Sequence, residues 1–127
     1  MENLKDAQLK EAHSTAKNYP NLVQNLKEIG VKGYLFEVAS QIIIYRYTDE
    51  TSFVKSHEEK RNLNISSEFD EEKTKTAISN SQKGLTDFPT FLKEIANAGI
   101  KAYDADFEEM VVSYYGTRGV HIEVIPQ

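Results

Sequence analysis

Four tyrosines and one histidine are the residues of this chain whose types and spacing could do chemistry. Tyr34 and Tyr45 form one pair and Tyr103 and Tyr114 another, each set to face across a tight hairpin. If the two hairpins meet about a pseudo-twofold axis, the four hydroxyls converge on a cleft and could read a polar ligand. The other reading is core packing, with each hydroxyl reaching the rim or a backbone partner. His13 shares a helical face with Leu9, Ala12 and Ala16, which aims it at the sheet or at the edge of the core. An imidazole beside phenol hydroxyls suits acid–base work or ligand binding, and it equally suits a packed, hydrogen-bonded position. The candidate ligand-binding set is therefore His13, Tyr34, Tyr45, Tyr103 and Tyr114.

The remaining polar residues point to less. His121 alternates with Val120 and Ile122, so it is expected on the opposite sheet face, near Tyr115, and His57 lies in a polar connection. No HxH or HExxH spacing exists, and no metal or cofactor is expected. Acidic runs stand at Glu68, Asp70, Glu71 and Glu72, and at Asp104, Asp106, Glu108 and Glu109. The first suits a helix start and its macrodipole. The second alternates with Tyr103, Ala105 and Phe107 and should face solvent, where it could also meet a basic protein partner. Asp104-Ala105-Asp106 matches only the opening of a calcium loop. Gly116-Thr117-Arg118-Gly119 resembles a phosphate cradle in composition alone; hairpin chemistry explains it. With no nucleophile motif, Walker loop or GxGxxG, nothing argues for an enzyme, and a non-catalytic protein is expected.

Composition narrows the classes further. The chain has 127 residues, 39% of them hydrophobic and 28% charged, which suits one domain with one core. The absence of cysteine excludes disulfides, thiolate zinc sites and cysteine nucleophiles. Acids and bases balance at nine each up to Leu63, whereas eleven acids face six bases beyond it, so the net charge of −5 belongs to the C-terminal half. Neither duplex nucleic acid nor an anionic membrane is an expected partner for that balance. The longest aliphatic run is Ile42-Ile43-Ile44, too short to span a bilayer, and the polar N-terminus does not read as a secretory signal. A cytoplasmic location is expected.

The elements that must position these residues follow from an internal repeat. A shift of 69 residues lays Tyr19-Pro20 on Phe88-Pro89, Gly30 on Gly99, Tyr34 on Tyr103 and Tyr45 on Tyr114, with no gap. Each copy, about 1–56 and 69–127, reads helix, helix, then strands, and 56–68 is the polar connection. Asn18 and Asp87 are matched N-caps before proline-started helices, and Gly30 and Gly99 should end those helices in the left-handed conformation. Weaker helices precede them, over Leu4–Lys17, opened by Asn3 with Asp6, and over Phe69–Lys83, closed by Gly84. Two-residue loops at Ala39-Ser40 and Glu108-Glu109 place 36 opposite 43 and 34 opposite 45 in the first hairpin, and equivalently in the second. Thr117-Arg118-Gly119 suits a three-residue loop with Gly119 left-handed, pairing Tyr114 with Ile122 and Val112 with Val124. By symmetry Thr51–Lys55 is the third strand of the first half. The expected fold is α+β: a duplicated ααβββ unit with pseudo-twofold symmetry, antiparallel strands and helices on one face.

Several of these segments resemble the YbcV-like family of small bacterial and prophage-associated proteins, some labelled "phage envelope protein". The resemblance rests on Ala12-His13, Tyr19-Pro20, Gly30-Val31 and Tyr34, and then on the stretch Gln82-Lys83-Gly84-Leu85-Thr86-Asp87-Phe88-Pro89-Thr90-Phe91. Gly99-Ile100, Asp106, Met110 and Tyr114-Tyr115 continue it, with Tyr103 and Leu92 standing where that family is expected to carry Trp and Cys. It implies a shared fold over nearly the whole chain and assigns no activity. Two functions from different classes then compete. One is a small-molecule-binding or regulatory module using a cleft between the halves. The other is an acidic protein-interaction module, an inhibitor or accessory factor. Either a monomer or a homodimer fits.

Overall fold

The computed structural model describes residues 3–56 and 63–126, so His57 lies outside the described residues. The elements run α1 (Leu4–Thr15), α2 (Tyr19–Glu28), β1 (Val31–Glu37), β2 (Ile42–Tyr47), β3 (Ser52–Ser56), α3 (Glu71–Gln82), α4 (Phe88–Asn97), β4 (Ile100–Asp106), β5 (Val111–Gly116) and β6 (Val120–Val124). This is an α+β fold whose order fits a duplicated ααβββ unit. The strands form one antiparallel sheet in the order β3-β2-β1-β4-β5-β6, with the pseudo-twofold axis between β1 and β4.

Local chemistry sets each helix. Asn18 accepts from the Asn21 amide at 2.8 Å and Asp87 from the Thr90 amide at 2.9 Å, satisfying N–H groups that no preceding turn can reach. Pro20 and Pro89 stand in those first turns, where a missing N–H costs nothing. The chain leaves α2 and α4 through Gly30 at φ +90° and Gly99 at φ +87°, a region that penalises a Cβ. Both α1 and α3 are shorter than the sequence suggests. Asn3 caps α1, but Asp6 does not close a capping box; it pairs instead with Lys55 at 2.5 Å and Lys10 at 3.4 Å. Asp70, not Phe69, starts α3 by accepting from the Lys73 amide.

The β1–β2 and β4–β5 hairpins have the expected register: Tyr34 faces Tyr45, Phe36 faces Ile43, and Tyr103 faces Tyr114. Their turns match each other as well, each closing on a left-handed residue, Gln41 at φ +56° and Met110 at φ +55°. Asp106 accepts from the amides of Glu108 and Glu109, which explains how that acidic turn forms without a glycine.

The last hairpin differs. Tyr114 pairs with His121 and Val112 with Glu123, one residue away from the expected register. The loop is tighter, closed by the Gly116 amide on the Gly119 carbonyl at 2.8 Å, and Gly119 is not left-handed. Its glycines serve space rather than φ: a Cβ on Gly116 or on Gly119 would lie 2.5 Å from the Phe69 ring. Because strand side chains alternate, a one-residue slip reverses every face assignment along β6. His121 consequently points into the core, and Val120, Ile122 and Val124 point out.

All four helices cover one face. α1 packs on α2 and α3 on α4, with α2 lying over β1 and α4 over β4. Leu26, Leu92 and Ile95 are almost completely enclosed in that layer, each such side chain contributing about 1.5–3 kcal/mol.

Candidate functional site

Strand alternation delivers the four candidate tyrosines to the helix-covered face, and the β1–β4 pairing joins the two halves. Phe36 lies opposite Tyr103 and stacks on it with ring centres 5.1 Å apart. Tyr34 meets Tyr45 at 6.0 Å and the edge of Tyr103 at 6.3 Å, and Tyr103 meets Tyr114 at 5.3 Å. All four residues are brought into one ring cluster, and they are buried: Tyr34 is the most exposed at 9%. The sequence reading missed Tyr19, a landmark of the repeat that α2 swings over the sheet to share a 2.7 Å hydrogen bond with the Tyr34 hydroxyl. Burial, reinforced by neighbouring phenols, holds the Tyr34 and Tyr103 hydroxyls well above the ordinary tyrosine range. Burial also pushes Tyr19 up to about 12, and raises Tyr45 and Tyr114 further. The cluster is thus a set of protonated phenols that can donate hydrogen bonds but does not supply bases or nucleophiles near neutral pH.

His13 stands at the rim. The residue is exposed, but its Nε2 reaches inward to 3.2 Å from the Tyr45 hydroxyl. Partial burial of the ring, followed by the Lys55 ammonium, lowers its pKa, so the imidazole is neutral at neutral pH. Lys55 in turn holds Asp6 ionised through their short ion pair.

The β5–β6 slip creates a second cluster that the sequence did not foretell. His121 is 8% exposed, with Nδ1 3.2 Å from Glu71 Oε2 and Nε2 3.3 Å from Glu123 Oε1. The second contact is too poorly aligned for a hydrogen bond, so Nε2 is buried without one. The two carboxylates address opposite nitrogens of one ring, so no single ion could be held by both. Among the described residues no group of three ligating side chains could hold a metal.

A family model described as "Protein of unknown function (DUF1398)" matches residues 7–123. The chain belongs to that family. The match runs from the first turns of α1 to the penultimate residue of β6, so both halves of this DUF1398 protein lie within it. No curated protein matches. Among the described residues no helix is long and apolar enough to cross a membrane.

What the DUF1398 sheet leaves uncovered is as informative as what it buries. On the helix-free face, Leu35, Ile42 and Ile44 are half-buried in the first half and Val54 is 60% exposed. In the second half Tyr115, Val120, Ile122 and Val124 all project from the same face, Val124 at 71% exposure. Between these apolar flanks, Arg46 on β2 reaches over Gly33 of β1 to form two 2.9 Å hydrogen bonds with Asp104 on β4. The acidic strand β4 is therefore on the expected face, but Asp104 is paired rather than free in solvent. Asp49, Glu50, Asp106, Glu108 and Glu109 gather at one end of the sheet, where the β2–β3 loop and the β4–β5 turn lie together. A groove of about 470 Å³ lies at the opposite end, lined by Glu37, Ile65, Ser66, Lys101 and Thr117, away from the tyrosines.

Proposed function

We propose that this protein is a non-catalytic interaction module whose working surface is the helix-free face of its sheet. Its partner is a protein presenting apolar surface flanked by basic side chains, matched to the acidic strand ends. The observation that carries this reading is the side-chain pattern of the open face. An antiparallel sheet with one solvated face normally alternates apolar-in and polar-out. Here the outward positions are largely apolar on both sides of the Arg46–Asp104 pair, and exposed apolar patches rimmed by polar residues mark association sites. The resemblance to YbcV-like, prophage-associated proteins supports a host-cell protein as the partner, with this chain as an accessory factor or inhibitor. A small-molecule site at the tyrosines has weaker support, because Tyr19 and Tyr34 satisfy each other and the rings pack on one another.

Photo-crosslinking in a bacterial host tests the proposal. A photoreactive residue at position 44 or 54 should give discrete protein adducts that fade as salt rises, while one at position 24, on the exposed side of α2, should not. Equal labelling from both faces, or none from the sheet, would overturn it.

A further inference from the structure

We infer that β6 is a self-association edge and that two copies of this chain pair their β6 strands antiparallel about a twofold axis passing between Ile122 and its copy. Among the described residues β6 pairs only with β5, so one of its edges is open. Two backbone bonds, Gly116 N–H to Gly119 carbonyl and Ile125 N–H to Met110 carbonyl, set the phase of the β5–β6 ladder. Residues 119, 121, 123 and 125 direct their backbone groups at β5, so Val120, Ile122 and Val124 direct theirs outward. An incoming antiparallel copy would take hydrogen bonds from these three residues.

The side chains select the register. Val120-His121-Ile122-Glu123-Val124 is symmetric in type about Ile122, with an imidazole on one side and a carboxylate on the other. Placing Ile122 opposite its own copy sets Val120 against Val124 twice on the open face. On the helix side it sets His121 opposite Glu123 twice. Those two positions are non-hydrogen-bonded pairs, the class in which side chains approach most closely. Sliding one in-phase step either way would oppose His121 to itself or Glu123 to itself. His121 Nε2, which in the single chain has its own Glu123 Oε1 at 3.3 Å but no hydrogen bond, thereby gains a second carboxylate across the strand.

The other edge shows the contrast. At the structurally equivalent positions β3 carries Ser52, Val54 and Ser56 where β6 carries Val120, Ile122 and Val124. The outward row of β3 is thus mostly serine, whereas that of β6 is three β-branched apolar side chains suited to packing against a copy of itself. The axis is perpendicular to the sheet, so both helix layers lie on one side and the open faces join into a twelve-stranded surface. This inference is independent of the partner proposed above.

The chain has no cysteine, which makes disulfide trapping clean. Ile122→Cys places two thiols either side of the axis, with Cα atoms about 5.5 Å apart in a hydrogen-bonded pair, inside the range a disulfide spans. Val120→Cys alone leaves about 14 Å between its copies along the strands. Mild oxidation should therefore link Ile122→Cys almost fully, and Val120→Cys or Val54→Cys hardly at all. An equal mixture of Val120→Cys and Val124→Cys chains should link to each other. Native mass spectrometry of the unmodified chain should show twice the 14.5 kDa monomer, and Ile122→Lys should return it to monomer with its circular dichroism unchanged. A monomeric unmodified chain, or linking that is equally fast at 54, 120 and 122, would overturn the inference.

Discussion

Raising the pH should unfold this protein cooperatively, through its tyrosines. The five with the largest rises, Tyr19, Tyr34, Tyr45, Tyr103 and Tyr114, have hydroxyl pKa values pushed up chiefly by burial, and burial raises Tyr47 as well. In the unfolded chain each returns to about 10. A group with a raised folded pKa keeps its full contribution below the unfolded value, and loses it as pH climbs toward the folded one. At pH 11 each tyrosine that stays protonated only when folded favours the unfolded state by about 1.4 kcal/mol, so five together favour it by about 7 kcal/mol. That is comparable to the whole stability of an ordinary domain, about 5–15 kcal/mol. The phenolate absorbance of these five buried rings and the far-ultraviolet circular dichroism, followed together, should change in one shared step between about pH 10 and 11.5. Tyr103→Phe removes one of the five groups and should lower the pH slope of stability by about a fifth. Phenolate forming on all seven tyrosines while the circular dichroism holds would refute this, because the buried rings would then be reaching solvent without unfolding.

Urea unfolding tests four further expectations. Tyr19→Phe and Tyr34→Phe should each cost about 1–2 kcal/mol, and the double variant about 1 kcal/mol less than their sum, since losing both hydroxyls strands neither; strict additivity would remove the bond's importance. Gly119→Ala should cost about 1–3 kcal/mol by pressing on Phe69, with a smaller effect in a Phe69→Ala background; equal costs in both would point away from that ring. Arg46→Met should cost about 1–3 kcal/mol by leaving the half-buried Asp104 carboxylate alone, and adding Asp104→Leu should recover part of it. The His13 pKa lies below its unfolded value near 6.5, so its neutral ring supports the fold above that pH and loses this support as pH falls. His13→Gln should therefore flatten the loss of stability between about pH 6.5 and 5, and an unchanged slope would refute the assignment.

Much of the architecture was legible residue by residue. The 69-residue shift, the Asn18 and Asp87 caps with their prolines, and the exits at Gly30 and Gly99 are all local signals, and each element they delimit is present. The tyrosine pairs could be set opposite one another because hairpin loop length and alternation agree independently within a dozen residues. The functional surface was much less legible. No alternation signal marks Leu35, Ile44 or Val54 as outward and uncovered, because that depends on every helix choosing the same face of the sheet.

Three features came from contacts far apart in the chain. Tyr19 finds Tyr34 only once α2 folds back over β1. Arg46 and Asp104 meet across an intervening strand, 58 residues apart. His121 faces the core because Phe69, some fifty residues earlier, sits against Gly116 and Gly119 and goes with a loop one residue tighter than the local sequence suggests. Capping, turn chemistry and strand alternation act over a few residues, so the chain carries them in plain order. Which layer covers which face, and which of two neighbouring registers a hairpin adopts, is decided by packing between segments that only the folded core brings together.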